Sequence, residues 1–222
     1  MTYTALVPVK ELNVAKSRLA AYLSRQQRES LVLDMLHHVL QILLASCLFE
    51  RVSVVSPDTR VLENARLWGA QALKEEQHGH NSALQAAAMR EQAAGATAIL
   101  TISADLPLLR LSDIQGVIEQ SRQHAVVLAP SQDGTGTNAI LMRPPLALPY
   151  LFGLNSRQRY QQAVKQQKLS STVYTSIGLA MDIDTIDDLQ RLRDEPGTRE
   201  GERNSYRSSH ERPIRKEFLK CL

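Results

Sequence analysis

Two rhythms of apolar residues alternate along the chain. Short, nearly continuous runs such as TALVP at 4–8, RVSVVS at 51–56 and AILTIS at 98–103 are bounded by turn-forming residues, the pattern of strands buried on both faces. Between them lie longer stretches of helical period; 25–45, for example, carries Leu31, Met35, Val39, Ile42 and Leu43. This reading predicts strands at 4–8, 51–56, 71–74, 98–103, 125–130, 138–142, 172–175 and 179–183. It predicts helices at 25–45, 59–68, 81–93, 112–123, 156–167 and 187–193. Strands joined by crossover helices make a doubly wound α/β sheet, mostly parallel and flanked by helices, with its ligand crevice at the C-terminal ends of the strands. The predicted domain is 1–194. The closing 195–222, EPGTREGERNSYRSSHERPIRKEFLKCL, is charged and has almost no apolar period, so it reads as a flexible tail.

Composition narrows the partners. In 222 residues, 43% hydrophobic content is ample for a core, and 5% aromatic content means a core of Leu, Val, Ile and Ala. The net charge of +3 owes part of its excess to the tail, and no basic stripe interleaved with aromatics occurs elsewhere, so nucleic acid is not expected as a partner. Cys47, within an apolar helical pattern, and Cys221 have no metal or redox spacing. The N-terminus MTYTALVPVK lacks the layout of a signal peptide and no window of eighteen uninterrupted apolar residues exists, so no membrane is expected and the cytoplasm is the expected location.

Chemistry is concentrated where strands end. LVPVKELNVAKSRLAAYL leaves the first strand at Pro8 and supplies Lys10, Lys16 and Arg18, cations placed to hold a polyphosphate, although a solvated basic helix face has the same spacing. Neither GxxxxGK[ST] nor GxGxxG is present there. The fourth strand runs into ADLPLL, which aims Asp105 into the crevice unless that carboxylate only caps a turn. In MDIDTIDDLQRL, alternation along 179–184 puts Asp182 and Asp184 on one face, a pair suited to Mg²⁺, while Thr185 and Asp188 fit a helix cap.

Between the strands at 125–130 and 138–142, the stretch APSQDGTGTN brings Gly134 and Gly136 together with Thr135, Thr137 and Asn138. It suits either an anion cradle rich in donors or a hairpin turning at Asp133-Gly134. LFGLNSRQRY places Gly153 and Ser156 ahead of a helix whose N–H groups suit an anion. EEQHGHNSAL groups Glu75, His78, His80 and Asn81 without the third ligand that zinc needs, and reads as a polar loop; His37 and His38 read as structural.

The segments PVKELNVAKSRL, ADLPLL, APSQDGTGTNAI, FGLNS and DIDTIDDL, in this order, resemble the 2-phospholactate or phosphoenolpyruvate guanylyltransferases of deazaflavin coenzyme (F-420) biosynthesis, over residues 3 to about 192. That family is similar in fold to the molybdenum-cofactor guanylyltransferases, with Pro-Val-Lys replacing their glycine-rich first loop. The resemblance implies a single-domain Rossmann-like fold of the nucleotide-diphospho-sugar transferase type. It implies transfer of GMP from GTP, with Mg²⁺, to 2-phospholactate, phosphoenolpyruvate or 3-phosphoglycerate, and is compatible with a homodimer.

Carried over by residue, it implies that Lys10, Lys16 and Arg18 face the phosphates and act in catalysis with Asp105, and that Pro8, Lys10, Lys16 and Asn81 hold the nucleotide. Asp105, Asp182 and Asp184 would hold Mg²⁺, and Thr137, Asn138, Gly153 and Ser156 would seat the phosphorylated acid. The chain departs from the family at Gly79-His80-Asn81, where Gly-Leu-Asn is expected, and at Arg157 and Tyr160, where Phe and His are expected. A glycosyltransferase of the same fold, or a nucleotide-binding module without activity, are the competing readings.

Overall fold

The computed structural model describes residues 1–75 and 79–194, so the predicted tail, Cys221 and His78 lie outside the described residues. A seven-stranded sheet runs in the order β3-β2-β1-β4-β6-β5-β7. Its strands are β1 (Tyr3–Pro8), β2 (Arg51–Ser56), β3 (Gln71–Lys74), β4 (Ala98–Ile102), β5 (Val126–Pro130), β6 (Thr137–Met142) and β7 (Ser171–Val173). All neighbours are parallel except β6, which runs antiparallel to both β4 and β5. The 125–142 region is therefore a hairpin, as the Asp133-Gly134 alternative required.

Among the described residues the helices are α1 (Arg25–Ala45), α2 (Thr59–Leu67), α3 (His80–Ala93), α4 (Leu111–Ser121), α5 (Ser156–Gln166), α6 (Ile177–Ala180) and α7 (Ile186–Asp194). Sequence chemistry sets their starts. Ser24 and Gln27 form a reciprocal capping box at α1, and the Asp58 carboxylate accepts N–H bonds from Arg60 and Val61 at α2. Among the described residues no helix is long and apolar enough to cross a membrane. Cys47 lies beyond the end of α1, exposed and at φ 54°, rather than within the helix.

The strands are buried on both faces because each face has its own core. Ala5 and Val7 of β1 pack with Val32, Leu36, Val61 and Ile114, from α1, α2 and α4. Leu6, between them in sequence, packs on the other side with Leu84, Tyr150, Tyr160 and Val164. Tyr160 is fully buried there, and its hydroxyl accepts the Leu151 N–H at 2.9 Å. His37 stacks on Trp68 and His38 bonds the Leu109 carbonyl, both structural roles.

The strand expected at 179–183 does not form. Residues 177–180 make one helical turn, opened by Ser176, whose hydroxyl accepts the Leu179 N–H. The physical reason is close docking against α4: a Cβ on Gly178 would lie 2.1 Å from Asp113 Oδ2 and 2.7 Å from the Leu108 carbonyl oxygen. This contact holds the segment beside α4 instead of on the sheet edge.

Candidate active site

In the strand order 3-2-1-4, β1 and β4 leave the sheet side by side where the connections change direction, the place where a crevice opens in doubly wound sheets. Past β1 the chain is pinned by Leu12, 2% exposed, whose N–H donates to Asp58 Oδ2 at 3.0 Å. Lys16 then takes a left-handed conformation, φ 51° and ψ 40°, before the 3-10 turn Ser17–Leu19. Leu19 is buried in a small third core with Met181, Ile183, Leu189 and Leu192.

That core orders the acidic segment. Met181 and Ile183 turn inward, so Asp182 and Asp184 stand on the opposite face of an extended stretch, and the period-2 reading holds without a strand. The Ile183 N–H donates to the Asp105 carbonyl at 3.3 Å, tying this stretch to the loop after β4. Asp105, Asp182 and Asp184 thereby meet, one oxygen from each lying within 4.8 Å of the others. Thr185 and Asp188 cap α7, since Asp188 Oδ2 accepts the N–H groups of Asp184 and Thr185, as expected.

Lys16 is drawn into this cluster. Its Nζ lies 2.5 Å from Asp105 Oδ2 and 2.8 Å from Asp184 Oδ1, with the side chain only 8% exposed. Burial alone would lower its pKa, and the two carboxylates outweigh burial and raise it above the usual lysine range. Arg18 stands farther out, 3.8 Å from Asp184 and 73% exposed. Burial opposes ionisation of Asp184, but Lys16, Arg18 and Lys10 more than compensate and hold it below the ordinary carboxylate value. Asp182 moves the other way: burial, then the charges of Asp105 and Asp184, raise it against a lowering contribution from Asn138.

Of the residues expected to seat an acceptor, Asn138 contacts the same cluster. Asn138, 5% exposed, faces Leu179 O, Ala180 O and Asp182 Oδ1 with its Nδ2, each at 3.0 Å. Two N–H bonds serve three acceptors, which leaves no donor on that nitrogen for a ligand. Thr137 and Ser156, both buried, join through their hydroxyls at 3.1 Å. The Ser156 N–H donates to the Gly153 carbonyl, and Gly153 itself is exposed at φ 114°. Arg157 is held to the hairpin loop, its N–H on Thr135 O and its guanidinium on Gly134 O at 3.3 Å.

The hairpin loop holds an anion of its own. Asp133 accepts bonds from the Ser131 and Thr135 hydroxyls at 2.6 and 2.7 Å and from the N–H of Thr135 at 3.0 Å, with the Gly136 N–H at 3.4 Å. These bonds hold its carboxyl well below the usual range. Of the donors expected to cradle a substrate anion, Thr135 and the Gly136 N–H therefore serve Asp133, whereas Thr137 and Asn138 point elsewhere. The alternation Ser131-x-Asp133-x-Thr135 was the sequence signal, since an Asp side chain readily accepts from N–H groups two residues on.

A cavity of about 350 Å³ opens over the ends of β1 and β2, lined by Pro8, Lys10, Val55, Glu75, His80 and Leu84 among others. Pro8 and Lys10 thus face it, and so does Glu75, which reads in the sequence only as part of a polar loop. Asn81 stands apart: its side-chain amide donates to Phe152 O and accepts from Phe152 N, both at 3.0 Å, which fastens α3 to the loop before α5. Gly79, at φ 100°, is the residue from which α3 begins.

Comparison with known proteins shows the family and the fold. Residues 3–195 match the family model described as "Guanylyl transferase CofC like". The phosphoenolpyruvate guanylyltransferase of Rubrobacter xylanophilus is 42% identical over 193 residues, covering 86% of this chain and 94% of that protein. The 2-phospho-L-lactate guanylyltransferase of Methanobrevibacter smithii is 32% identical over 189 residues, covering 84% and 82%. Among solved structures, a Desulfovibrio desulfuricans protein described as a nucleotide-diphospho-sugar transferase superposes with a TM-score of 0.78 at 16% identity, covering 100% of this chain and 97% of its own.

Proposed function

The chain belongs to the CofC-like guanylyl transferase family and is a nucleotidyltransferase, and from that premise we propose that it transfers GMP from GTP to a small phosphorylated carboxylic acid, releasing pyrophosphate. Phosphoenolpyruvate is the acceptor favoured here, because the 42%-identical relative carries that name, ahead of 2-phospholactate and 3-phosphoglycerate. The observation that carries the reading is the meeting of Asp105, Asp182 and Asp184 at the crevice.

Three carboxylates so close repel one another unless a cation joins them, and an ammonium already lies against two of them. An all-oxygen donor set of this kind suits Mg²⁺. Asp105, Asp182 and Asp184 are the residues that would hold it. Its contribution when bound would be neutralisation of charge on the reacting phosphates.

The acceptor phosphate has a second pKa near about 6, so it is already mostly a dianion at neutral pH and no side chain need remove a proton from it. Its oxygen attacks the α-phosphorus as the bond to the β-phosphate oxygen breaks. Lys10 and Arg18, exposed at the rim, offset charge on the departing pyrophosphate. Ser156 and Thr137 form the floor of the acceptor side. Guanine presents two adjacent donors on its base-pairing edge, and the Glu75 carboxylate in the neighbouring cavity is an acceptor suited to both.

The test is a pyrophosphate-release screen crossing GTP, ITP, ATP, CTP and UTP with phosphoenolpyruvate, 2-phospholactate and 3-phosphoglycerate. Turnover is expected with GTP and phosphoenolpyruvate and reduced turnover with ITP. Pyrophosphate from no pairing would overturn the reading, and nucleoside diphosphate release from a sugar nucleotide would replace it with glycosyl transfer.

A further inference from the structure

The conspicuous feature of the acidic cluster is that its cation comes from the chain. Nζ of Lys16 contacts the carboxylates of Asp105 and Asp184 while the side chain stays 8% exposed, and the residue holds a left-handed backbone that non-glycine residues rarely take. Leu12 and Leu19, 2% and 0% exposed, anchor the loop on both sides, so the position of the Lys16 Cα is fixed by packing and only the four-carbon stem is free to swing. Asp182 receives Asn138 instead of Lys16, so the buried donors of the cluster are one charged and one neutral, with Arg18 at 3.8 Å outside.

We propose that Lys16 is a resident counter-ion of the carboxylate cluster, and that a divalent ion and the nucleotide phosphates load together because each relieves what the other leaves. The inference rests on the metal reading above. A divalent ion coordinated by these oxygens would sit about 2.1 Å from them, while Nζ stands 2.5 and 2.8 Å from oxygens of two of the same residues. Two cations crowded on the same oxygens repel, so the ammonium must leave the cluster when the ion enters. A favourable destination is another anion within reach of the stem, and a triphosphate over the ends of β1 and β4 supplies one. Without nucleotide the lysine competes with the metal for the same oxygens, and metal binding is weak. With nucleotide the lysine moves onto phosphate and the carboxylates are freed for the metal. Lys16 thus positions Asp105 and Asp184 through its ion pairs with both.

The test is Mn²⁺ binding to the full chain without nucleotide, followed by electron paramagnetic resonance, in wild type and in Lys16→Met, which keeps the stem and removes the charge. Expected is a tightening of about tenfold or more in the variant, the scale of removing one nearby charge, together with a larger rise in Tm on adding Mn²⁺ than in wild type. Unchanged or weaker Mn²⁺ binding in folded Lys16→Met overturns the proposal, and so does absence of Mn²⁺ binding in both proteins.

Should Lys16→Met fail to fold, the wild type decides by ¹⁵N spectroscopy of lysine ammonium groups, with Lys16→Arg identifying the signal. The Lys16 ammonium, shielded in the free protein, is expected to shift and exchange faster with water when Mg²⁺ and GDP are added. A signal unchanged at saturation overturns the exchange. Neither readout needs turnover, so failure here is distinguishable from failure of the guanylyl transfer reading.

Discussion

Replacing Asn138 by Ala is expected to damage both the fold and the acidic cluster. The side chain is 5% exposed, and its Nδ2 lies 3.0 Å from Leu179 O, Ala180 O and Asp182 Oδ1. Two N–H bonds cannot serve three acceptors fully, so the amide counts as about one neutral and one charge-assisted bond. At ~1 kcal/mol for the first and ~2 kcal/mol for the second, the loss is about 3 kcal/mol, less whatever water recovers in the space left by the amide. For a domain of this size that is a fall of roughly 6–12 °C in Tm.

A second effect falls on Asp182. Burial and its acidic neighbours already raise its pKa, and Asn138 is the group that opposes them. Without the amide the carboxylate is harder to ionise, and apparent Mg²⁺ affinity falls with it. Asn138→Asp is the sharper control, because it sets an acceptor against two carbonyls and a carboxylate, and is expected to be less stable than Asn138→Ala at pH 8. Thermal melts would be paired with the Mg²⁺ dependence of pyrophosphate release. If Asn138→Ala melts within about 1 °C of wild type and only its KM for the acid rises, the residue is a substrate contact and the reasoning fails.

Asp105→Asn is expected to cut turnover about 100-fold or more, the scale of losing one electrostatic stabiliser, and steady-state kinetics at limiting Mg²⁺ checks it. Asp133→Asn is expected to loosen the hairpin loop and to reduce the pH dependence of stability. The folded carboxyl is depressed, so its contribution is complete above the unfolded value near about 4 and is lost as pH falls further. Melting curves of the two proteins should therefore converge in acid, and a constant gap from pH 3 to pH 7 would contradict this. Gly178→Ala is expected to cost about 1–3 kcal/mol by overpacking, because its Cβ would meet Asp113 Oδ2 at 2.1 Å and a backbone oxygen at 2.7 Å; urea unfolding measures it.

Much of the architecture was readable because burial on both faces leaves a plain mark. The strands at 51–56 and 71–74 and the helix at 25–45 have the boundaries that their apolar runs and flanking turn residues indicate. The stretch at 179–183 misled because an extended segment packed against helices shows the same alternation as a strand. Met181 and Ile183 are buried in a core of helices and a 3-10 turn, so period 2 reports which side faces inward and says nothing of hydrogen-bond partners.

At the site the limit is of another kind. Sequence shows which residues can donate or accept, but a donor is free for a ligand only if no group of the chain takes it first. Lys16, Asn138, Asn81 and the hairpin donors were all legible as polar groups near strand ends, and each has an internal partner: Asp105 and Asp184, Asp182, the Phe152 backbone, and Asp133. These pairings join segments 44 to 168 residues apart, except in the hairpin loop, where Asp133 and its donors are local. Only the local one leaves a trace in spacing. The long-range ones follow from the order of strands, which brings the ends of β1 and β4 together and lets the 181–184 segment lie across them.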